Sequence, residues 1–238
     1  MSCYKTIEHY QVLVKRYPAL FVNDSSDKSI KIITNLEIML AQQELLYQKA
    51  RIDGKPTHWF DLGLLTEDAW VMVLRDLVLF PNQKYGCYIR SVNRSIVSDP
   101  NANDVAILPL FEGKILLLRH FRHEARAWLW EIPRGFGEIG LSAEENARKE
   151  MSEETRLQVA ELIRLNESET GISERVAYFL AKCDDRVQVP LETTEAEESI
   201  EKIRVVTISE FEQLLLLGEI VDSYSIRAFV LARLRKLL

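Results

Sequence analysis

Three glutamates, Glu150, Glu153 and Glu154, lie at spacings that a helix would bring onto one face. Side chains three and four residues apart on a helix are neighbours, so the three carboxylates would share about one turn. Like charges at this spacing repel weakly, and a bound cation would relieve the repulsion. Carboxylate oxygens favour Mg²⁺ or Mn²⁺, ions that usually also bind substrate phosphate. The spacing therefore predicts a metal site for phosphate chemistry, although a solvated acidic face gives the same pattern.

A glycine-rich loop precedes this acidic cluster. The sequence GFGEIG at 135–140 follows an apolar strand, and its glycines would let backbone carbonyls approach a bound ion. Ser142, with Glu145 three positions later, forms a capping box, which predicts a helix over 142–156. Strand, loop and helix therefore follow one another directly and together position the acidic residues.

The stretch from 128 to 157 resembles a Nudix box, whose pattern is G-x5-E-x7-R-E-U-x-E-E-x-G-U, with U an aliphatic residue. The positions that fit this pattern are Gly135, Glu150, Met151, Glu153, Glu154 and Leu157. The positions that differ are Leu141 in place of the first Glu, Lys149 in place of the Arg, and Arg156 in place of the second Gly. All the acidic residues that bind metal in the family are retained, so we expect a competent site.

The three differences have distinct expected consequences. In the family, the residues at the positions of Leu141 and Lys149 form a supporting ion pair, so their joint replacement indicates the loss of one interaction. Lys149 keeps the positive charge of the arginine it replaces. It lacks the guanidinium group, which can hold a carboxylate by bidentate hydrogen bonding. Arg156 is the harder difference to accommodate, because a glycine there usually permits a left-handed turn.

The resemblance extends over about residues 70–238. This stretch is similar to the ADP-ribose pyrophosphatase branch of the family. Three separated blocks carry it: the strands before the box (116–135), the strand after it (170–183), and the closing strand and helices (197–232). The resemblance implies an α/β (α+β) fold, the Nudix α/β/α sandwich with a mixed sheet. A small α/β segment would precede it.

The resemblance also implies roles for single residues. Glu150 and Glu154 would be the main ligands of Mg²⁺ or Mn²⁺, and Glu153 would be a ligand or would position water. The carbonyl group of Arg134 or Gly135 would complete the shell. A further carboxylate would act as base from the acidic loop at 192–201, where Glu198 is our choice and Glu197 and Glu201 are rivals. A solvated acidic loop is the alternative for that segment.

Substrate contacts are expected at the end of the apolar strand before the box. Arg119 and Arg122 flank Phe121, so two guanidinium groups would hold phosphates while the ring stacks on a base. The alternative is that the two arginines only extend from the strand end into solvent. Glu131 is expected from the resemblance to contact substrate or metal, and a paired charge at a strand end is the alternative.

The remaining pattern predicts a short N-terminal segment, 1–68, of unknown role and a Nudix domain at 69–238. The first segment would contain a helix over 4–17, a strand at 30–34 and a helix that Asn35 caps. Residues 69–98 read as a hairpin. In this branch such a region commonly reaches across a homodimer, which would place Arg75 or Arg90 near the partner's site.

Turn and capping signals continue beyond the box. A linker is expected at 98–104, strands near 158–166 and 175–183, and a strand at 202–208. A capping box of Ser209 with Glu212 would begin the next helix, which ends at Gly218, and a last helix would follow Asp222.

Composition limits the possible partners and compartments. The 238 residues carry a formal net charge of -6, so a nucleic-acid backbone would find no general attraction. Three scattered cysteines, Cys3, Cys87 and Cys183, form no disulfide framework. No apolar run reaches the ~18 residues that a membrane span needs. We therefore expect a cytoplasmic protein, a homodimer, that acts on a small nucleotide.

Three functions follow from these expectations. The first is a metal-dependent hydrolase of the pyrophosphate bond in ADP-ribose or an ADP- or NDP-sugar, which the retained glutamates favour. The second is a Nudix domain that has lost turnover and senses ADP-ribose or a related metabolite, as the changes at Leu141, Lys149 and Arg156 would allow. The third, a dinucleoside polyphosphate hydrolase, shares the metal site and differs in the substrate pocket.

Overall fold

A computed structural model describes residues 3–99, 102–169, 175–184 and 199–238. The chain divides into two compact units, Met1–Ser98 and Asp99–Leu238. Residues 69–98, which the sequence analysis assigned to the second domain, lie in the first unit because their hairpin pairs with strands of that unit. The role of this hairpin in a homodimer stays a prediction. Among the described residues, no helix combines the length and the apolar character that a bilayer crossing requires.

In its described residues, the first unit combines three α-helices and two short 3-10 helices (Pro18–Phe21 and Thr57–Phe60) with a four-stranded sheet. Its elements are α1 (Cys3–Arg16), β1 (Lys31–Ile33), α2 (Leu36–Ile52), β2 (Gly63–Glu67), β3 (Val71–Leu79), β4 (Tyr85–Asn93) and α3 (Arg94–Ser98). Helix α1 ends before Pro18, as predicted, because the residue before a proline disfavours helical geometry. Asn35 caps α2 by accepting a hydrogen bond from the Ile38 amide at 3.0 Å, which confirms the predicted cap.

Strand β3 is the centre of the first sheet. It pairs antiparallel with β4 along its whole length, while β2 and β1 pair with its first and last parts. The buried carboxylate of Asp76 accepts hydrogen bonds from the Tyr10 hydroxyl and from Arg90 Nε, the latter at 2.6 Å. Burial and the neighbouring Asp76 raise the pKa of Tyr10, so its hydroxyl stays protonated and donates. Arg75 donates to the carbonyl oxygen of Asp61 at 3.0 Å. Both arginines named for a partner's site thus make contacts within the first unit.

The second unit contains seven strands and three helices among its described residues. They are β5 (Asp104–Phe111), β6 (Lys114–Arg122), β7 (Ala127–Glu131), β8 (Arg134–Gly135), α4 (Ala143–Thr155), β9 (Val159–Glu169), β10 (Arg175–Cys183), β11 (Ile200–Val206), α5 (Ile208–Leu216) and α6 (Ser223–Leu234). The strand order β11-β6-β5-β10-β9 forms a mixed sheet, since β10 is parallel to β5 and the other pairs are antiparallel.

Strands β5 and β6 pair only beside their turn, at Leu110–Phe111 with Lys114–Ile115. Farther from the turn, β7 pairs with β6 and β8 pairs with β5. This separation of β5 from β6 makes room for β8, the short strand that leads into the glycine-rich loop.

The sheet of the second unit packs helices on both faces, and strand alternation explains why. Successive side chains of a strand point to opposite faces. Val105 and Ile107 of β5 pack with Ala147 and Met151 of α4. The intervening residues of β5 belong to the opposite cluster, which contains Ala106, Leu108, Phe211 of α5 and Phe229 of α6. The predicted α/β/α sandwich with a mixed sheet is confirmed.

Two capping boxes begin helices of this unit, and one of them differs from the prediction. At α4, Ser142 and Glu145 form the predicted box. At α5, the box is formed by Thr207 with Glu210 and not by Ser209 with Glu212. Strand β11 ends at Val206, so Thr207 is the first residue free to cap. Asp222 caps α6, as predicted.

We expect Phe211→Ala to lower the free energy of unfolding by about 3–5 kcal/mol, because it removes a fully buried ring stacked on Phe229 at 4.6 Å between centroids. Leu216 on the same helix is exposed, so Leu216→Ala is the matched control and should change stability by less than about 0.5 kcal/mol. Urea unfolding of the full chain measures both variants. Equal losses would contradict the assignment of Phe211 to the core.

Candidate active site

Two carboxylates of α4 are buried against the backbone of β8. Glu150 is 6% exposed and Glu154 is 2% exposed. Glu154 Oε2 accepts a hydrogen bond from the Arg134 amide at 3.2 Å. At Gly135, an added Cβ would lie 2.0 Å from the carboxyl carbon of Glu150, so only glycine leaves room for that carboxylate. The strand backbone and the helix therefore meet at these two acids.

Glu153, the third predicted ligand, has a different environment. It is half-exposed, and Lys149 Nζ lies 3.0 Å from its Oε2. The same ammonium lies 2.5 Å from Oε1 of Glu138, in the glycine loop (residues 135–141). These two hydrogen bonds raise the pKa of Lys149, which is therefore fully charged. The pair between positions 141 and 149 is lost, as Leu141 carries no charge, and Lys149 pairs instead with Glu138 and Glu153.

Arg156 adopts the backbone conformation expected of the glycine it replaces. Its φ of 59° and ψ of 12° are left-handed, and it closes α4 with its amide donating to the Ser152 carbonyl oxygen at 3.0 Å. A non-glycine residue pays a conformational cost there. The course of the chain after α4 is nevertheless the one that a glycine would give.

The residues at α4 and β8 fit a divalent cation that is shared with a substrate. Among the residues that the structure describes, no group of three or more His, Cys, Asp or Glu side chains is arranged to hold a metal. Mg²⁺, however, is commonly held by one or two carboxylates, with water and substrate phosphates at its other positions. Glu150 and Glu154, beside the backbone of Arg134 and Gly135, could provide the protein part of such a shell.

A cavity of about 720 Å³ is lined by Arg134 and Gly135, the residues of β8 that Glu154 and Glu150 contact, although neither acid lines the cavity itself. Its other charged and aromatic lining residues are Asp104, Arg122, His123, Glu124, Phe136 and Tyr224. The Arg134 guanidinium lies over the Tyr224 ring at 4.7 Å from the centroid. Among the described residues, Arg134 Nε is buried and has no hydrogen-bond partner. Arg134, a lining residue of the cavity, thus has one donor atom without a partner among the described residues.

Glu131 lies beneath this cavity and holds its arginines. It is 1% exposed and does not line the cavity. Arg122 Nε donates to it at 2.9 Å, and His120 Nδ1 and Arg134 Nη2 lie 3.1 and 3.6 Å away. Burial alone would raise the pKa of Glu131, but the adjacent His120 ring, the hydrogen bonds from Arg122 and the charges of Arg122 and Arg134 outweigh it and lower the pKa. The carboxylate therefore stays ionised and fixes both guanidinium groups.

Two predicted substrate residues lie elsewhere. Arg119 pairs with Glu201 at 2.6 Å, and Phe121 packs edge-on against Trp128 at 5.4 Å between centroids. Neither lines the cavity, so their roles toward substrate stay predictions. Glu198, the predicted base, lies outside the described residues, as does its rival Glu197.

Several side chains that line the cavity were not predicted from the sequence, among them Phe136, Tyr224 and the guanidinium of Arg134. A signal existed for two of them. Arg134 stands in a Pro-Arg-Gly sequence where the family more often has Pro-Ala-Gly, and Phe136 is a large apolar residue between two glycines. Phe136 is 68% exposed, which is unusual for a ring and consistent with a binding surface. Tyr224 had no comparable signal, because an aromatic residue near a helix start is ordinary.

Comparisons with known proteins agree with this geometry. The family profile described as NUDIX domain matches residues 100–229. A crystal structure of an ADP compounds hydrolase is similar in fold, with a TM-score of 0.57 and 19% sequence identity over 71% of this chain and 88% of that chain. Comparison with curated protein sequences gives no match.

We expect Gly135→Ala to weaken Mn²⁺ binding by at least tenfold, because the new methyl group would displace the Glu150 carboxylate. Gly113→Ala is the matched control: Gly113 has a left-handed φ of 72° but open space around its Cβ position. Calorimetric titration with Mn²⁺ measures both variants. If the two variants bind Mn²⁺ equally well, the contact between Gly135 and Glu150 does not shape the site.

We expect Glu131→Gln to lower the free energy of unfolding by about 3 kcal/mol, because it leaves the buried cationic groups without their counter-charge. Glu201→Gln breaks the exposed pair with Arg119 and should cost less than about 1 kcal/mol. Chemical denaturation compares the two variants. A loss for Glu131→Gln as small as that of the control would show that the buried pair is not a structural requirement.

Proposed function

Because the chain belongs to the Nudix family, whose members generally use divalent cations, we propose that it hydrolyses the pyrophosphate bond of nucleoside diphosphate-linked compounds. The proposed substrates are ADP-ribose and ADP- or NDP-sugars, each cleaved to two phosphate monoesters. One observation carries the proposal: the buried acids Glu150 and Glu154 lie against the same strand, β8, whose Arg134 lines a cavity with Arg122.

The chemistry follows from the charges in the substrate. Hydrolysis adds water across a P–O–P linkage, so the oxygen of water joins one phosphorus and the bridging oxygen leaves with the other. Mg²⁺ or Mn²⁺, when bound, would neutralise phosphoryl oxygens and lower the pKa of the attacking water. Glu150 and Glu154 would hold that cation through their carboxylates, beside the backbone of β8.

The arginines of the cavity would bind the phosphates that the cation does not. Arg122 and Arg134 are both held by Glu131, so their guanidinium groups are fixed before a ligand arrives. The Arg134 guanidinium would donate to a phosphate oxygen. Phe136 would cover the apolar face of a base or sugar.

The size of the cavity and the structural comparison support this substrate class. A volume of about 720 Å³ lies within the range of roughly 300–1,000 Å³ that is usual for ligand pockets. One crystal structure that is similar in fold is that of an ADP compounds hydrolase. Together with the arginines, it favours a nucleoside diphosphate over an uncharged ligand.

The sequence differences that suggested a sensor are accommodated in the structure. Arg156 takes the left-handed conformation of a glycine, and Lys149 has two carboxylate partners. The retained acids and these two compensations favour the enzyme. The base at Glu198, the homodimer and the cytoplasmic location stay predictions from the sequence.

The test is a screen of the purified protein with Mg²⁺ or Mn²⁺ against ADP-ribose, NDP-sugars and dinucleoside polyphosphates, with a phosphatase that releases phosphate from the monoester products. We expect turnover of ADP-ribose or a nucleotide sugar. Glu154→Gln should lower kcat by at least about 100-fold, as removal of a charge-stabilising group does. Glu161→Gln, on an exposed residue paired with Lys182, is the control and should keep full activity.

Three outcomes of the screen are informative. Full activity of Glu154→Gln would contradict the metal assignment. If only dinucleoside polyphosphates are turned over, they are the substrate class, and ADP-ribose and the nucleotide sugars are not. If no substrate in the panel is turned over but ADP-ribose still raises the melting temperature, the result would favour a sensor.

A further inference from the structure

We propose that Glu138 is a positioning residue that acts through Lys149. Its ion pair with Lys149 would hold the glycine loop against α4. The same ion pair would reduce the extent to which the Lys149 ammonium compensates the charge of Glu153. Glu138 lies outside the glutamate positions of the box pattern, and its carboxylate meets Lys149 only because the loop folds back onto the helix.

The geometry places one cation between two acids. Lys149 Nζ is 2.5 Å from Glu138 Oε1 and 3.0 Å from Glu153 Oε2. Lys149 and Glu153 are four residues apart on α4, so their contact is local, whereas Glu138 reaches the same ammonium from the loop. All three side chains are between one third and one half exposed, so such pairs add little to overall stability. Their effect is therefore on position and charge.

The charge balance gives Glu138 a definite influence on Glu153. One ammonium between two carboxylates leaves a net charge of about -1 on the group. Removing the charge of Glu138 would leave Lys149 and Glu153 as a neutral pair, which attracts a nearby divalent cation less. Removing the charge of Lys149 would have the opposite electrostatic effect, because both carboxylates would then be uncompensated.

The glycine loop is also held by its backbone, so Glu138 contributes to an ordered structure. The Gly137 amide donates to Asp104 Oδ1 at 2.8 Å, and the Gly140 amide donates to Asp99 Oδ2 at 3.0 Å. Asn146 Nδ2 of α4 donates to the Phe136 carbonyl oxygen at 2.8 Å. The ion pair of Glu138 with Lys149 adds a charged side-chain contact between the glycine loop and α4, the helix that contains Glu150 and Glu154.

The experiment has two readouts that do not need turnover. Amide hydrogen exchange of residues 136–140 in the metal-free protein reports the attachment of the loop. Calorimetric titration with Mn²⁺, without substrate, reports the charge around the site. The variants are Glu138→Gln, Lys149→Met, Lys149→Arg and the double variant Glu138→Gln/Lys149→Met. Glu144→Gln is the matched control, because Glu144 is an exposed glutamate of α4 that pairs with Arg164 at 3.4 Å.

We expect Glu138→Gln and Lys149→Met each to speed exchange of the loop severalfold, because each breaks the same contact. Their effects on Mn²⁺ should differ: Glu138→Gln raises the Kd by about tenfold, whereas Lys149→Met leaves it unchanged or lowers it. In the Lys149→Met background, adding Glu138→Gln should return Mn²⁺ affinity to about that of the unmodified protein, because the group again carries a net charge of about -1. Lys149→Arg, which keeps the charge, should restore slow exchange, and Glu144→Gln should match the unmodified protein.

Two results would overturn the inference: loop exchange unchanged in Glu138→Gln, or equal weakening of Mn²⁺ binding by Glu138→Gln and Lys149→Met. The loop contact is independent of the proposed function, whereas the effect on the cation rests on it. If the unmodified protein binds no Mn²⁺, charge sharing is overturned together with the metal site. If the expected shifts occur while the substrate panel stays silent, the inference holds and the proposed hydrolase fails.

Discussion

The burial of two carboxyl side chains against one short strand is the constraint on which the second unit depends. Ionised carboxylates are costly to remove from water unless partners compensate them. Glu154 has the Arg134 amide, and Glu150 fits only because Gly135 has no side chain. The rest of the sheet positions α4 against β8. Strands β5 and β6 separate beyond their turn, so β8 can pair with β5, and the apolar side of α4 packs on the sheet.

A third buried acid organises the positive side of the site. Glu131 pairs with Arg122 and His120 of β6 and with Arg134 of β8. Long cationic side chains lose conformational freedom when they bind a ligand, and prior fixation reduces that loss. The acidic side of the site, at α4, and its positive side, at the cavity, thus depend on three buried glutamates: Glu150 and Glu154 for the first and Glu131 for the second. The strand β8 joins them, because Arg134 belongs to both environments.

Local signals allowed much of this arrangement to be predicted from the sequence. The capping box at Ser142, the helical spacing of the acids and the alternation in the strands all depend on neighbours in the chain, and the structure agrees with them. Tertiary contacts were not predictable in the same way. Phe121 and Phe136 are both rings beside candidate site residues, and only the packing of Phe121 on Trp128 separates them. The cap of α5 was misplaced because Thr207 and Ser209 satisfy the same pattern, and only the end of β11 distinguishes them.

The contact between Glu138 and Lys149 also bears on how such sequences diverge. A motif scored one position at a time counts Leu141 and Lys149 as two independent defects. In three dimensions the ammonium keeps an acidic partner, supplied from three residues earlier in the chain. What persists is then a pairwise interaction and not the identity of either residue. Substitutions of this kind are free to accumulate in compensating pairs, so a chain can drift away from its family's consensus while the electrostatics of the loop and helix stay nearly constant.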